Sequence, residues 1–150
     1  MAALIQRGPF RPEEISCALE LLDAAVTRTD TYEALILEEP AGEPPQPQPI
    51  RPIAYICFGA TPMTEATFDV YWIVVDPASQ GKGLGRALMA ETERLLSARG
   101  ACTIRIETSS LEGEGGAVRF YLRAGFAQVG LIPDFYRPGD DLVTLAKRLT

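Results

Sequence analysis

The sequence contains no histidine among its 150 residues. Serine and cysteine nucleophiles that rely on a neighbouring imidazole are therefore excluded. A zinc site is disfavoured as well, because histidine is one of the usual zinc ligands, and no metal site is predicted. Any general base must be a carboxylate, a tyrosine or a relayed water molecule.

Cysteine is scarce, and the three cysteines, Cys17, Cys57 and Cys102, lie far apart in apolar stretches. An odd number at such spacing predicts three buried free thiols in a reducing compartment. No run reaches the roughly 18 apolar residues of a membrane span, and the opening residues, MAALIQRGPF, lack the charged start of a secretory signal. We therefore expect a cytoplasmic protein without a membrane partner.

Basic residues are outnumbered: 14 Lys and Arg stand against 20 Asp and Glu, giving a net charge of −6. This balance argues against nucleic acid as a partner, and an acidic surface suits a cationic substrate such as an amine. The length predicts a single domain over residues 1–150. Such a domain buries about 70% of its unfolded surface and needs no disulfides.

One segment, residues 40–52 (PAGEPPQPQPIRP), has six prolines in thirteen positions. Proline removes a backbone donor and fixes φ, so the segment cannot be a helix or a central strand. It is predicted to be an exposed loop. The alternative is a proline-rich ligand for another domain.

Apolar periodicity and turn signals predict the order α, β, β, β, α, β, α, β, β. The predicted helices are 12–28, 84–99 and 116–124, and the predicted strands are 32–38, 53–59, 68–75, 103–108, 126–132 and 142–149, with a short opening strand at 4–7. This order indicates an α/β or α+β chain with a mixed sheet.

Particular faces and turns follow from the same pattern. The predicted inner faces of the two longer helices consist of Ile15, Leu19, Leu22 and Val26, and of Leu84, Ala87, Leu88 and Leu95. Gly100 is expected to end the second of these helices in a left-handed conformation. Residues 133–141 are predicted to form a loop that turns at Pro138–Gly139.

The strongest local signal is the stretch Gln80–Arg86 (QGKGLGR), which follows a buried strand ending at Val75 and runs into a helix. Three alternating glycines allow the backbone to turn tightly and to approach a ligand. The N-terminus of a helix presents unpaired N–H groups to an anion, and Lys82 and Arg86 add charged donors. The stretch therefore predicts a site for a phosphate or pyrophosphate.

Two familiar phosphate motifs do not fit. The P-loop requires Ser or Thr after its lysine, whereas Gly83 follows Lys82. The dinucleotide fingerprint requires Gly or Ala where this chain has Arg86 or Leu88. Instead, Gln80–Gly85 matches the Gln/Arg-x-x-Gly-x-Gly/Ala signature of the GNAT acetyltransferases.

A second landmark strengthens the resemblance to this family. The stretch Ala117–Phe126, with its Phe120-Tyr121 pair and Gly125-Phe126 pair, resembles the second GNAT landmark at the expected distance. The resemblance covers about residues 53–149. It implies a GNAT-like α+β fold whose mixed, mostly antiparallel central sheet is flanked by helices, with the family's fourth and fifth strands splayed apart.

The resemblance also implies an activity. Such an enzyme is an acyltransferase that moves the acetyl group of acetyl-CoA to a primary amine by direct attack in a ternary complex. The acceptor is expected to be a small molecule or an amino-acid derivative. A protein lysine or N-terminus, and a non-catalytic CoA-binding sensor, are the alternatives. The sequence leaves open whether the protein forms a homodimer.

The cofactor would enter the splayed sheet, with its pantetheine alongside Ile73–Val75 and its pyrophosphate on Gly81–Arg86. The family often has an asparagine where this chain has Glu114, a residue unsuited to a CoA contact. The cofactor-binding residues that the resemblance implies are Ile73, Val74, Val75, Gln80, Gly81, Lys82, Gly83, Leu84, Gly85, Arg86, Ala87, Ser110, Ala117, Phe120 and Tyr121.

Two catalytic residues follow from the resemblance. In GNAT relatives the tyrosine of the Phe-Tyr pair lies near the thioester sulfur, so Tyr121 is the expected acid, with a core tyrosine as the alternative. Asp69 is the expected base, since some relatives carry a glutamate eleven residues before the motif glutamine. Aspartate is one methylene shorter, so a bridging water is expected. The alternatives are an exposed strand-edge carboxylate at Asp69, with Glu107 or solvent as the base.

Two further features complete the expected site. A backbone N–H near Val74 or Val75 is a candidate oxyanion donor. In such folds the last loop often borders the acceptor, and acidic and aromatic side chains together suit an ammonium group. That loop carries Asp134, Phe135, Tyr136, Asp140 and Asp141, for which a solvated turn is the alternative.

Overall fold

A computed structural model describes residues 1–7, 12–27, 31–40, 50–111 and 116–149. The elements within these residues, in chain order, are α1 (Ala2–Gln6), α2 (Pro12–Thr27), β1 (Tyr32–Pro40), β2 (Ile50–Ala60), β3 (Thr67–Val75), a 3-10 turn (Pro77–Ser79), α3 (Leu84–Ala98), β4 (Thr103–Ser109), α4 (Gly116–Arg123), β5 (Ala127–Arg137) and β6 (Asp140–Arg148). None of these helices is long and apolar enough to cross a membrane.

The strands form one six-stranded sheet in the order β1-β2-β3-β4-β6-β5. β3 and β4 are parallel over Thr67–Val70 and Thr103–Ile106, and α3 supplies the crossover that a parallel pair requires. β6 is antiparallel to both of its neighbours, β4 and β5. The predicted fold class, a mixed and mostly antiparallel sheet with flanking helices, is confirmed.

Two predicted segments were wrong. Residues 4–7, predicted as a short strand, belong mostly to α1, because Leu4 and Ile5 are buried side by side on one helical turn. The predicted loop 133–141 is mostly strand, and only Pro138–Gly139 forms the turn. Pro133 lies within β5, which is an edge strand, where a missing backbone donor is tolerated.

The proline-rich segment lies largely outside the described residues, which omit 41–49. Its two ends are strand rather than loop, since β1 extends to Pro40 and β2 begins at Ile50. The predicted limits of that loop, residues 40 and 52, were therefore too wide.

By packing, the chain divides into two compact units. The first comprises Met1–Phe58 and Trp72–Thr92, and the second comprises Gly59–Tyr71 and Glu93–Thr150. The prediction of a single domain over 1–150 stays a prediction. The core of the first unit is formed by buried side chains from α1, α2, β2 and β3: Leu4, Ile5, Ala18, Leu22, Tyr55, Cys57 and Val74.

The buried faces of the two longer helices differ from the predicted ones. In α2, Leu22 is buried but Val26 is 70% exposed. In α3, the buried stripe is Leu88, Met89, Thr92 and Leu96, so of the predicted face only Leu88 is buried. The Thr92 hydroxyl donates to the Leu88 carbonyl at 2.9 Å. This bond satisfies the hydroxyl and lets a polar residue occupy the buried stripe.

The cysteines also depart from expectation. Cys57 is buried, as predicted, but Cys17 and Cys102 are exposed. Burial raises the pKa of the Cys57 thiol to about 12, which makes it an unreactive core side chain.

Tyr55 is the least satisfied side chain of the first unit's core. It is fully buried, and its hydroxyl has no hydrogen-bond partner among the described residues. Burial is the main cause that raises the pKa of Tyr55, and Cys57 and Cys17 add to it. A buried hydroxyl without a partner loses its hydration and gains nothing in return.

We therefore expect Tyr55→Phe to leave the free energy of unfolding unchanged or to raise it by about 1 kcal/mol, since the change removes only an unsatisfied group. Leu22→Ala, in the same core, should lower it by about 2–5 kcal/mol. Urea denaturation of both variants measures these differences. A loss above about 1 kcal/mol in Tyr55→Phe would mean that the hydroxyl is bonded in solution.

Candidate functional site

The chain leaves β3 through a turn fixed by Asp76, whose side chain is almost fully buried. Its Oδ1 accepts the N–H of Ala78 at 3.0 Å and so caps the 3-10 turn Pro77–Ser79. Its own N–H donates to the Ile53 carbonyl on β2 at 2.7 Å. The other carboxylate oxygen, Oδ2, is paired with Arg7 at 2.9 Å and with Arg51 at 3.3 Å. The sequence motif did not reveal these arginines.

The loop that follows requires glycine at two positions. Gly81 and Gly83 have φ values of +75° and +78°, a left-handed conformation that strains residues with a Cβ. A Cβ at either position meets no protein atom within 4 Å. The space beside the loop is therefore open, and the backbone conformation is what demands glycine. Gly85 differs, because it lies within α3.

The N-terminus of α3 provides donors to this space. Ala87 donates to the Gly83 carbonyl at 2.9 Å, so the N–H groups of Leu84–Arg86 precede the first intrahelical bond of this kind. The first turn carries no acidic residue, and Lys82 and Arg86 are exposed. Backbone donors, the positive end of the helix dipole and two cations thus favour an anion here.

The other predicted cofactor residues of the first unit adjoin this loop. Val74 is buried in the core, whereas Ile73 and Val75 are half-buried, as alternation along a strand requires. The Gln80 side chain donates to the Val75 carbonyl at 3.4 Å, which closes the turn between β3 and the loop. Ala87 is exposed on the first turns of α3.

In the second unit, Asp69 lies opposite Arg105 in the register of β3 with β4. The guanidinium donates from Nε to Oδ1 at 2.7 Å and from Nη2 to Oδ2 at 3.2 Å. Its Nη1 donates to Glu107 at 3.2 Å. Asp69 is 6% exposed, so it is not an exposed strand-edge carboxylate, whereas Glu107 is exposed.

Sequence reasoning missed Arg105, which joins the two candidate bases. The hydrogen bonding of Arg105 to the Asp69 carboxylate is the main cause that raises the pKa of Arg105. One signal was available: Arg105 and Glu107 are two residues apart on a strand and therefore share a face.

Tyr121 lies on α4 and is buried. Its ring meets Phe120 edge to face at 5.1 Å between centroids and Phe126 at 5.8 Å. Ala117 and Phe120 on the same helix are half-buried, and Gly125 after the helix has a φ of +89°. The aromatic packing fixes the ring of Tyr121, and the role of its hydroxyl stays a prediction.

The acidic residues predicted to line a last loop instead stabilise the β5–β6 hairpin. Asp134 Oδ1 accepts the N–H of Gly139 at 2.6 Å, and Asp141 Oδ1 accepts the N–H of Asp134 at 2.9 Å. The buried Asp140 accepts a hydrogen bond from Ser109 and pairs with Arg137 at 3.3 Å.

The remaining predicted site residues near this hairpin are Ser110, Phe135 and Tyr136. The Ser110 hydroxyl accepts the N–H of Asp141 at 3.0 Å. Phe135 and Tyr136 are 54% and 38% exposed and lie in β5 rather than in a loop. Glu114 lies outside the described residues, within which no cluster of His, Cys, Asp or Glu suited to a metal ion is found.

This chain is similar to GNAT acetyltransferases both in sequence and in fold. The family model of the acetyltransferase (GNAT) domain matches residues 48–128. A GNAT-family protein of known structure from Desulfovibrio desulfuricans is 34% identical with a TM-score of 0.87, and the match covers 99% of this chain and 90% of that protein. The protein yncA of Salmonella typhimurium, solved with acetyl-CoA, shares the fold at 22% identity and a TM-score of 0.66, over 91% of this chain and 74% of that protein.

A curated relative is N-alpha-acetyltransferase RimI of Mycobacterium tuberculosis. It is 37% identical over 91 residues, which are 59% of this chain and 52% of the relative. The chain thus spans about half the length of this relative, and a smaller share of the other curated proteins that it matches.

Proposed function

The chain belongs to the GNAT family of acetyltransferases, and we propose that it transfers the acetyl group of acetyl-CoA to the primary amine of a small molecule or amino-acid derivative. The amine attacks the thioester directly, in a ternary complex of enzyme, acetyl-CoA and acceptor. The proposal builds on the acyltransferase chemistry of the family.

The observation that carries the proposal is the open, glycine-rich loop at the start of α3. Gly81 and Gly83 hold left-handed conformations beside open space, and the N–H groups of Leu84–Arg86 lie at the positive end of the helix. Coenzyme A carries a pyrophosphate, which is the kind of group that such a helix N-terminus binds. The acetyl-CoA complex of yncA shows the same cofactor in a protein of this fold.

Transfer to an amine makes three chemical demands. The amine must lose its proton, because an amine of pKa about 10.4 is neutral in only about one molecule in 2,500 at pH 7. The carbonyl oxygen needs a donor as negative charge develops, and the N–H of Val74 or Val75 is proposed for it. The C–S bond then breaks, and the Tyr121 hydroxyl is proposed to protonate the departing thiolate, with solvent restoring its proton.

Asp69 is proposed as the base, through a bridging water. Both of its oxygens already accept a hydrogen bond from Arg105, so a proton from the acceptor must use a remaining lone pair. Glu107 shares Arg105 and is exposed, which keeps it and solvent as alternatives.

A second acceptor class is favoured by one observation. The match to N-alpha-acetyltransferase RimI extends over 59% of this chain. An α-amino group at the N-terminus of a peptide is therefore the second candidate acceptor. It differs from a small amine in requiring room for the following residues.

We expect the purified protein to release thiol from acetyl-CoA only when a suitable amine is present. A panel of polyamines, amino-acid amides, aminoglycosides and short peptides with free N-termini would separate the two acceptor classes.

Gly83→Asp should abolish acetyl-CoA binding in calorimetry, because it places bulk and negative charge in the proposed pyrophosphate site.

The matched control is Gly100→Asp, beyond the other end of α3, where φ is +84° and a Cβ also meets open space. This variant should bind normally. Equal binding by Gly83→Asp and the parent would place the cofactor elsewhere. Binding without thiol release for any amine would favour a sensor.

Tyr121→Phe keeps the buried ring and removes the proposed acid. We expect kcat to fall by about 10- to 1,000-fold, with little change in the KM for acetyl-CoA, because the hydroxyl acts as the thiolate departs. Steady-state kinetics at saturating acceptor measures both constants. An unchanged kcat would leave Tyr121 as a packing residue.

Asp69→Asn removes the proposed base and keeps its shape. We expect kcat/KM to fall by about 100-fold or more and its rise on the acid limb of the pH profile to flatten, since a base is lost. Arg105→Met is the matched control, because it breaks the same ion pair but retains the carboxylate. If the two variants changed the profile equally, or if Asp69→Asn overlaid the parent, Asp69 would not be the base. Glu107→Gln tests the alternative.

A further inference from the structure

Asp76 lies where β3 leads toward the glycine-rich loop Gln80–Gly85, four residues before Gln80. Both oxygens of its carboxylate have partners within the first unit. Oδ1 accepts the N–H of Ala78, and Oδ2 is paired with Arg7 and Arg51. The backbone is fixed as well. The Asp76 carbonyl accepts the N–H of Ser79 at 2.7 Å, and its N–H donates to Ile53.

The same contacts reach three other elements of this unit. Arg7 is the residue after α1, Arg51 lies on β2, and Arg51 in turn donates to Glu39 on β1. The direction in which the chain leaves Val75 is therefore determined by side chains from distant parts of the sequence. A loop built from two left-handed glycines has little rigidity of its own, so its starting point must be held from outside.

The charges in this network balance. Asp76 and Glu39 are negative, and Arg7 and Arg51 are positive. A lone carboxylate near the start of the loop would repel a phosphate, whereas a carboxylate paired with two guanidinium groups does not. The positive charges of Lys82 and Arg86 are then left to act on the ligand.

From this arrangement we propose that Asp76, held by Arg7 and Arg51, is a positioning residue. It orients the glycine-rich loop and so sets the affinity for the pyrophosphate of acetyl-CoA. This inference rests on the proposed function. Asp76 touches neither the substrate nor the reacting atoms. It acts by holding the first residues of the loop in the conformation that directs Gly81–Arg86 toward the phosphates.

The test compares two acetyl donors. S-acetyl-pantetheine has the thioester and the pantetheine arm but lacks the pyrophosphate. Asp76→Asn retains an oxygen that can accept from Ala78 but replaces the oxygen that pairs with the arginines. It should raise the KM for acetyl-CoA by about 10- to 100-fold, the loss expected for charge-assisted bonds. Its kcat at saturation, and its kcat/KM with S-acetyl-pantetheine, should stay within about twofold of the parent.

The control is Glu93→Gln, which breaks the Lys147–Glu93 pair of the second unit, 2.8 Å long, and should change neither donor's constants. If Asp76→Asn does not fold, Arg7→Gln gives the same comparison with a smaller change, because the Arg7 side chain is 46% exposed. An equal rise in KM for both donors would show a general structural role and overturn the proposal, as would an unchanged KM for acetyl-CoA. A parent protein that used neither donor would contradict the proposed function itself.

Discussion

A helix cannot satisfy the backbone N–H groups of its own first turn, and the loop that precedes α3 is built around this deficit. The donors of Leu84–Arg86 need an acceptor from outside the helix. The preceding residues keep that end open instead of covering it, since a Cβ at Gly81 or Gly83 meets no protein atom. The strand, the 3-10 turn and the two glycines together leave this end of the helix uncovered.

The second constraint is the cost of burying charge. Three carboxylates are nearly fully buried among the described residues, those of Asp69, Asp76 and Asp140. Each is paired with arginine: Asp69 with Arg105, Asp76 with Arg7 and Arg51, and Asp140 with Arg137. Arginine suits this task, because its planar fork donates several bonds to a carboxylate and it stays charged. Four of the 14 Lys and Arg residues, Arg7, Arg51, Arg105 and Arg137, thus pair with buried carboxylates while keeping part of their own side chains exposed.

Local patterns were the part that the sequence could predict. The open, glycine-rich loop Gln80–Gly85 was visible because alternating glycines, a strand end and a helix start are adjacent, and the Phe120-Tyr121 pair lies within one short helix. The partners of the carboxylates were not visible, because Asp69 and Arg105 are 36 residues apart and meet only through the register of β3 with β4. The burial of Thr92 was missed for a different reason: its polar side chain indicates exposure, but its hydroxyl is satisfied by its own helix. The exposure of Cys17 and Cys102 depends on packing that residue type does not reveal.

β5 has a consequence for how the protein behaves at high concentration. It is an edge strand that leaves large apolar side chains exposed, among them Val129, Leu131, Ile132 and Phe135. A regular edge of this composition would invite strand addition by another chain and, eventually, aggregation. Here the pairing shifts twice along the strand, Pro133 offers no N–H, and Asp134 turns left-handed at a φ of +54°. The edge therefore lacks a continuous row of donors and acceptors, and an incoming strand finds only short, interrupted stretches on which to align.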